Sequence, residues 1–322
     1  MANHEIPKLI IVSPCYNEEA ILRYSADTLT SFLKRVIALG KIAPSSRILY
    51  VNDGSRDLTW SLIEELHKDN SFVEGLSLAK NVGSELAVMA GMMAAKERAD
   101  VVVTIDADLQ DDVEAIEEMI NHYLEGCDIV YGVKTSREAD PWLKRITAEG
   151  FYRLQQNMGI NVIFNHTNFR LMSKRALEAL SEYSERNLYL RGIIPQLGFR
   201  SAEVEDVIRE RTAGESKYNY TKLLLLAVDG ITSFSTKPIS FIVGMGLFSL
   251  LISIVMAIYV LVSYVEHLSV PGWASLMLSL WFIGSMLLLS IGVVGQYIGK
   301  IYIEVKARPR YHIDQYLKHH DN

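Results

Sequence analysis

Hydrophobic and polar positions alternate in blocks between Leu9 and about Arg200. Short apolar runs rich in Val and Ile are separated by longer segments, such as residues 18–40 and 58–69, whose apolar positions recur at helical spacing. Continuous apolar strands separated by helices indicate a parallel sheet that is covered on both faces. The runs that predict strands are LIIVSPC, RILYVND, VEGLSLA, DVVVTID and CDIVYGV.

The pattern changes sharply after Pro238. The segments Ile239–Val265 and Ala274–Gly299 contain no charged residue, and each exceeds the roughly 20 apolar residues that are needed to cross a bilayer. Two buried core helices are the alternative, but core helices seldom remain uncharged over such a length. The mean hydropathy of the chain, +0.14, also favours a part that lies in lipid. The sequence therefore predicts two transmembrane helices after an α/β domain.

Charges around the two apolar segments predict their orientation. The connecting stretch EHLSVPGW has no Lys or Arg, whereas basic residues precede the first segment and follow the second. The positive-inside rule therefore predicts a multi-pass protein of the cytoplasmic membrane, with the α/β domain and both termini in the cytoplasm and a short external loop. The basic residues are Lys217, Lys222 and Lys237 before the spans, and Lys300, Lys306, Arg308 and Arg310 after them.

The stretch YNYTKLLLLAVDGITSF, just before the first span, is apolar over much of its surface but contains Lys222 and Asp229. This composition fits a helix that lies in the plane of the membrane interface. An ordinary amphipathic helix packed on the α/β domain explains the same pattern equally well.

Polar residues follow three of the predicted strands, in the stretches PCYNEE, NDGSRD and DADLQDD. Ligands of such sheets bind outside the carboxyl ends of the strands, so these stretches should share one edge. Asp53 is suited to accept hydrogen bonds from a ribose or a base, although NDGS is also a common turn sequence. AKNVGSE predicts a helix N-terminus at Gly83–Ser84, which either binds a phosphate or is simply capped.

The acidic stretch TIDADLQDD carries the strongest chemical signal. Asp106 and Asp108 occupy alternate positions, and on an extended chain such side chains point the same way. Two carboxylates that face one point fit a hard divalent cation, Mg²⁺ or Mn²⁺, which completes its coordination with substrate phosphates. A solvated acidic turn is the alternative. Asp111 or Asp112 is explained separately, as a capping residue at the start of the next helix.

Charge and cysteine content exclude several classes of protein. The formal net charge of −6 argues against a broad nucleic-acid-binding face. Cys15 and Cys127 are the two cysteines, and both lie in apolar strand-like stretches. They form neither a disulfide framework nor a zinc motif, so buried reduced thiols in a cytosolic domain are expected. The polar N-terminus lacks the layout of a signal peptide.

The motifs SPCYNEE, VNDGSRD, AKNVGSELA and DADLQDD, in this order, resemble those of family 2 glycosyltransferases with the GT-A fold. RERTAGESKYNY and SFSTKP, followed by two spans, resemble the polyisoprenyl-phosphate glycosyltransferases, the dolichol-phosphate-mannose-synthase-like branch that includes bacterial undecaprenyl-phosphate sugar transferases. The resemblance implies a Rossmann-like GT-A domain over 1–210, a juxtamembrane loop and interface helix over 211–237, a transmembrane hairpin over 238–300 and a basic cytoplasmic tail over 301–322.

The same resemblance implies inverting transfer of a sugar from a nucleotide-sugar to a membrane polyprenyl phosphate, for modification of a cell-envelope glycan. The bacterial character of the sequence favours a UDP-linked sugar. Family members suggest a homo-oligomer and a separate flippase partner. By motif position, Asp106 and Asp108 would be metal ligands and belong to the catalytic set with Asn168 and Arg170. The donor-binding positions would be Pro14, Tyr16, Glu18, Asp53, Lys80, Gly83 and Gln110.

Four residues after the α/β domain suit the acceptor phosphate by type: Arg209, Arg211, Ser216 and Lys217. Arginine in particular binds phosphate in a bidentate manner. A solvated basic loop that contacts only lipid headgroups is the alternative. The second pKa of a phosphate monoester is about 6, so the acceptor is largely dianionic at neutral pH. It needs placement more than a general base.

One position departs from the family pattern. FNHTNFRLMSK has Asn168 where relatives carry an acidic residue just before Phe-Arg. Asparagine cannot act as a base or as a strong metal ligand, so His166 or Asn168 itself is expected to substitute by hydrogen bonding, with Arg170 as a phosphate contact. Two other functions stay open. A processive polysaccharide synthase would carry a Gln-x-x-Arg-Trp motif, which the sequence lacks, and a non-catalytic nucleotide-sugar-binding membrane scaffold is supported only by Asn168.

Overall fold

The computed structural model describes residues 6–134, 166–186, 189–206, 237–265 and 272–319. These residues divide into two units. One contains the α/β part of the chain together with the residues from Arg308 onward, and the other contains the two long apolar helices up to Ala307. The predicted acceptor-phosphate residues Arg209, Arg211, Ser216 and Lys217 lie outside the described residues.

The first unit is an α/β sheet with helices on both faces. Its described strands are β1 (Leu9–Cys15), β2 (Arg47–Asn52), β3 (Val73–Leu78), β4 (Val101–Thr104), β5 (Ile129–Lys134), β6 (His166–Ser173), β7 (Ser201–Asp206) and β8 (Ile313–Leu317). Its described helices are α1 (Leu22–Ala38), α2 (Thr59–Asp69), α3 (Ser84–Ala95), α4 (Ala115–Leu124), α5 (Lys174–Glu182) and α6 (Leu190–Ile193), which continues into a 3₁₀ turn at Ile194–Leu197.

The strand order across the described sheet is β7-β5-β6-β4-β1-β2-β3-β8. The strands β4, β1, β2 and β3 pair in parallel, and β5 pairs in parallel with β7. The strand β6 runs antiparallel to β4 and β5, and β8 runs antiparallel to β3. The sheet is therefore mostly parallel, and the carboxyl ends of six of its described strands open on one edge.

Successive side chains of a strand point to opposite faces of the sheet, so apolar side chains pack against the helices on both faces. Leu9 and Ile11 of β1 belong to a core cluster shared with α1, α2 and α4. On the other face, α3 lies so close to the sheet that a Cβ added at Gly91 would be 2.3 Å from Cγ1 of Val12 and 2.8 Å from Cγ2 of Val51. Only glycine allows this approach, which holds the second half of α3 close against β1 and β2.

The second unit contains α7 (Lys237–Val265) and α8 (Trp273–Lys306). Among the described residues, one segment is long and apolar enough to cross a membrane by length and composition. This segment is Phe282–Lys306, with a mean hydropathy of 1.7 and none of its window buried. The first predicted span, Ile239–Val265, lies within α7, whose described apolar side chains, such as Leu247 and Leu251, are exposed. That both helices cross the membrane stays a prediction.

The five predicted strands correspond to β1–β5, and the two quoted helical stretches correspond to α1 and α2. The α/β class and the mostly parallel sheet are therefore confirmed. The strands β6, β7 and β8 were not predicted. Residues 301–322 were expected to form a tail, whereas α8 extends to Lys306 and Ile313–Leu317 pairs with β3 as a strand of the sheet.

Candidate active site

The predicted functional stretches meet at one edge of the sheet. The carboxyl ends of β1, β2, β3, β4 and β5 all open there, and the amino-terminal half of the antiparallel strand β6 reaches the same edge. The registers show this directly, because Thr104 lies opposite Arg170 and Lys134 lies opposite Asp206. The expectation that the polar strand ends share an edge is confirmed.

The acidic loop after β4 is a tight turn. The backbone N–H of Leu109 donates to the carbonyl oxygen of Asp106 at 3.1 Å, and Leu109 has a positive φ of 49°, a conformation that is uncommon for a residue with a side chain. Ala107 and Leu109 are buried, which anchors the turn in the core. The expected extended geometry for Asp106 and Asp108 is therefore wrong, because the strand ends at Thr104. The turn instead brings the two carboxylates near each other.

The electrostatics of Asp106 reflect a crowded cleft. Asp106 is solvent-exposed, but surrounding protein limits the hydration of its carboxylate. Limited hydration raises the pKa of Asp106, and the charge of Asp108 raises it further. Three cationic side chains act in the opposite direction: Arg191, Lys134 and Arg170.

This donor set fits a divalent cation that is shared with a phosphate ligand. Two neighbouring carboxylates repel each other, and a hard cation such as Mg²⁺ or Mn²⁺ between them would offset that repulsion. Among the described residues, no group of three or more His, Cys, Asp or Glu side chains could hold a metal by itself. Magnesium is commonly held by one or two carboxylates together with substrate phosphates, so the pair Asp106 and Asp108 is sufficient. Gln110 lies two residues further on and is partly exposed.

The next two carboxylates have different surroundings. Asp112 accepts a hydrogen bond from the backbone N–H of Glu114 at 3.2 Å, which closes the turn that leads into α4, but the N-cap residue of α4 is Glu114, whose side chain makes no capping hydrogen bond. Asp111 instead is buried and its carboxyl group is hydrogen-bonded to that of Asp206 at the end of β7. The predicted capping role is therefore wrong for Asp111, and Asp112 lies two residues before the N-cap and stabilises the preceding turn instead.

The loop after β1 is fixed by the loop after β2. The side-chain oxygen of Asn17 accepts from the N–H of Arg56 at 2.9 Å, and the N–H of Glu18 donates to Oγ1 of Thr59 at 2.9 Å. Asn17 has a positive φ of 55°. Tyr16 is exposed at this edge, and Pro14 and Glu18 are partly exposed. The backbone that carries these three predicted donor-binding side chains is therefore held in place by hydrogen bonds to the loop after β2.

Asp53 has a structural role that the sequence did not indicate. Its Oδ1 accepts from the N–H of Val82 at 2.7 Å, and its Oδ2 accepts from the N–H of Gly83 at 2.9 Å. Asp53 is 3% exposed, and burial raises its pKa while these two hydrogen bonds lower it. The carboxylate therefore holds the loop that precedes α3, including the exposed Lys80.

Two glycines allow this loop geometry. A Cβ at Gly54 would lie 2.5 Å from the backbone nitrogen of Asn81, so the turn after β2 and the loop after β3 touch through their backbones. Gly83 has a φ of 95° and directly precedes α3, a conformation that favours glycine.

Asn168 and Arg170 face the acidic loop from β6. The hydroxyl of Thr104 donates to the carbonyl oxygen of Asn168, and Nη2 of Arg170 donates to Oδ1 of Asn168 at 3.3 Å. Because arginine can only donate, the amide N–H₂ of Asn168 is left to face away from Arg170. Arg170 is 1% exposed, so its hydrogen bond holds the side chain of Asn168 from the interior of the protein. The side chain of His166 lies outside the described ones.

Two residues of this cleft were not predicted, Lys134 and Arg191. Lys134 ends β5 at the same edge, and the rule that ligands gather at strand ends could have found it. Arg191 lies in α6, and its distance in sequence from β4 gives no comparable signal.

The chain is similar to known proteins over most of its length. The model of the family "Glycosyl transferase family 2" matches residues 10–181. The chain is 48% identical over 308 residues to the protein called "Uncharacterized glycosyltransferase YkoT" of Bacillus subtilis (strain 168), covering 96% of this chain and 91% of that protein. It is 40% identical over 307 residues to the "SfII prophage-derived bactoprenol glucosyl transferase" of Shigella flexneri, covering 94% of this chain and 96% of that protein. Among solved structures, the mannosyltransferase PcManGT from Pyrobaculum calidifontis, in complex with GDP-Man and Mn²⁺, is 15% identical with a TM-score of 0.46, covering 94% of this chain and 86% of that chain.

Proposed function

The chain belongs to glycosyltransferase family 2, and on this premise we propose that it transfers a sugar from a UDP-sugar to a membrane polyprenyl phosphate, with inversion at the anomeric carbon. The product is a polyprenyl-monophosphate sugar for modification of a cell-envelope glycan. The similar Shigella flexneri protein is called a bactoprenol glucosyl transferase, which supports a lipid acceptor of this kind.

One observation carries the proposal. The turn that bears Asp106 and Asp108 and the loops that bear Tyr16 and Asp53 open on the same edge of the sheet. A sugar nucleotide needs two kinds of group side by side. Its base and ribose require hydrogen-bonding and stacking groups, and its diphosphate requires a cation. A sheet edge that held only a structural acidic turn would not need the preformed loops beside it.

The donor would be held in two places. Pro14, Tyr16 and Glu18 would contact the nucleoside, and the loop that Asp53 organises would place Lys80 near the diphosphate. Asp106 and Asp108 would hold Mg²⁺ or Mn²⁺, and such an ion, when bound, supplies positive charge where negative charge develops on the departing diphosphate.

The ionisation of the acceptor phosphate would make an asparagine at position 168 compatible with the proposed reaction. A phosphate monoester is already largely ionised at neutral pH, since its second pKa is about 6, so no side chain needs to remove a proton from it. Asn168, positioned by Arg170 and Thr104, would orient substrate oxygen atoms by donating from its amide. Four further residues would bind the acceptor phosphate: Arg209, Arg211, Ser216 and Lys217.

Membrane insertion would bring the lipid acceptor to the enzyme. Both α7 and α8 would span the cytoplasmic membrane, with the sheet unit and both termini in the cytoplasm. A cysteine introduced at Ser269, which lies between the two helices in the sequence, is expected to react with a membrane-impermeant reagent from outside the cell. Reaction from the cytoplasmic side alone would contradict this topology.

The proposed reaction is tested by incubating the purified full chain with polyprenyl phosphate, Mn²⁺ or Mg²⁺ and a panel of radiolabelled nucleotide sugars, followed by extraction of the lipid phase. We expect a labelled lipid with a UDP-sugar, and a loss of at least about 100-fold in turnover for Asp108→Asn. Asp27→Asn, an exposed change on α1, is the matched control. Absence of labelled lipid with every sugar would defeat the proposed function, and full activity in Asp108→Asn would defeat the metal assignment.

A further inference from the structure

Arg191 lies on a short helix that is fixed from two sides. The backbone N–H of Leu190 donates to Oε2 of Glu85 at 3.1 Å, and Glu85 belongs to the first turn of α3. Leu190 and Ile193 are buried, and α6 packs against β6. The backbone that carries Arg191 is therefore held in place beside the edge where the strands end.

The guanidinium of Arg191 faces the charges of the cleft without pairing with them. It is close enough to Asp106 to lower the pKa of that carboxyl group, and close enough to Arg170 to lower the pKa of that guanidinium. Within the part of the chain that the structure describes, Arg191 has no ion pair, and its buried Nε has no hydrogen-bond acceptor. Buried N–H groups of native proteins nearly always have a partner. A ligand would supply the missing acceptor.

The surrounding charges indicate that this ligand is an anion. Arg170 from β6 and Lys134 from β5 also act on Asp106, so three cationic side chains from three elements approach the end of β4. Burial, and then the charge of Arg191, lower the pKa of Arg170 to about 10. Guanidinium groups that repel each other in a partly buried cleft are suited to an oxyanion, because they can donate paired hydrogen bonds to phosphate.

We propose that Arg191 is a phosphate-binding residue of the active site, which donates guanidinium hydrogen bonds to a substrate phosphate oxygen beside Asp106. This assignment rests on the proposed function and adds a residue to it. The oxyanion belongs to the diphosphate of the sugar nucleotide or to the phosphate of the lipid acceptor. The recognition chemistry is the same for both sources, so the experiment separates them.

The test compares Arg191→Gln, Arg191→Lys and the wild type as purified full chains. Arg200→Gln is the matched control, because Arg200 is exposed at the start of β7, at the opposite edge of the sheet, where its Nη1 donates to the carbonyl oxygen of Glu125. Calorimetry gives the Kd for UDP and for inorganic pyrophosphate in the presence of Mn²⁺. Turnover at saturating donor gives the KM for polyprenyl phosphate and kcat separately, and the melting temperature reports folding.

We expect Arg191→Gln to raise one of two constants at least tenfold without lowering the melting temperature. A rise in the Kd for UDP and pyrophosphate assigns Arg191 to the donor diphosphate, and a rise in the KM for polyprenyl phosphate assigns it to the acceptor. Arg191→Lys should keep part of the affinity, because a point charge remains while the bidentate geometry is lost. Arg200→Gln should leave both constants unchanged.

Unchanged Kd and KM in a folded Arg191→Gln variant would overturn the assignment, and normal transfer by the wild type in the same assay would leave the proposed function intact. If the Gln variant does not fold, Arg191→Lys takes its place, and unchanged constants in that variant overturn the assignment equally. A wild type that transfers no sugar but binds pyrophosphate in an Arg191-dependent manner would refute the proposed function alone.

Discussion

The carboxyl groups of Asp111 and Asp206 share a hydrogen bond at the edge of the sheet. Both residues are buried, and Oδ1 of Asp206 also accepts from the N–H of Asp112 at 2.9 Å. Burial, and then the charges of Asp106 and Asp206, raise the pKa of Asp111 to about 8. Asp111 is therefore protonated at neutral pH, and one shared proton joins the acidic loop to the end of β7.

This shared proton predicts that stability falls as the pH rises from about 4 to about 8. In that window the native protein retains a proton that the unfolded chain has released, so each pH unit costs up to about 1.4 kcal/mol. Asp111→Asn keeps a hydrogen-bond donor for Asp206 and should remove this part of the slope. The melting temperature of the full chain in EDTA between pH 5 and pH 8 measures it, with Asp27→Asn as control. Identical pH dependence in the wild type and Asp111→Asn would show that the proton lies elsewhere.

Asp53→Asn should weaken both the fold and donor binding. The variant retains one acceptor for the backbone N–H groups of Val82 and Gly83, and its new amide N–H₂ opposes the other donor. We expect a cost of about 1–3 kcal/mol in the free energy of unfolding and, because the loop before α3 loses its tether, roughly a tenfold rise in the Kd for UDP. Denaturant unfolding and calorimetry measure the two effects. Asp69→Asn, exposed at the end of α2, should change neither, and a normal Kd in folded Asp53→Asn would refute the tethering role.

Strands β1 to β5 could be predicted from the sequence because the pattern that identifies each strand lies within that strand. Each buried strand from β1 to β5 is a continuous apolar run, and the parallel connections place every polar strand end on one edge. That rule located Asp53, Asp106 and Asp108 without a structure. It did not predict that the carboxylate of Asp53 accepts hydrogen bonds from backbone N–H groups, because the loop that donates them is 29 residues further along the chain.

The remaining parts depend on contacts that are remote in sequence. The turn at Asp106 follows from the burial of Leu109 in a left-handed conformation, which outweighs the extended preference of the preceding strand. Arg191 and Asp206 reach the acidic loop only through the packing of α6 and β7. The strand β8 pairs with β3 across more than 230 residues, and its residues read as an ordinary polar tail until that pairing is known.

Glu74→Gln should destabilise the sheet unit more than a comparable surface change. Glu74 is fully buried and accepts from Nη1 and Nη2 of Arg98 at 2.7 and 2.6 Å, and Nη1 also donates to the hydroxyl of Tyr316 in β8 at 2.8 Å. Neutralising Glu74 leaves Arg98 without its counter-charge, at a cost of about 3–5 kcal/mol. The exposed pair Arg23–Glu65 provides the control, since Glu65→Gln should cost less than about 1 kcal/mol. Denaturant unfolding of both variants measures the difference, and equal effects would contradict a structural role for the buried pair.

Docking of the C-terminal strand should weaken in acid through His319. The N–H of His319 donates to Oε1 of Glu74 at 3.2 Å, its Nε2 lies 3.1 Å from the carbonyl oxygen of Val73, and its ring lies 4.0 Å from the ring of His67. Burial and the neighbouring His67 lower the pKa of His319. Since the unfolded chain then binds this proton more readily than the native state, the contact loses stability as the pH falls below about 6.5. Hydrogen exchange across Ile313–Leu317, corrected for intrinsic rates, should therefore be faster at pH 5.5 than at pH 7.5. His319→Gln keeps a neutral donor and should abolish that difference, whereas an equal acceleration in the variant would assign the pH response to other groups.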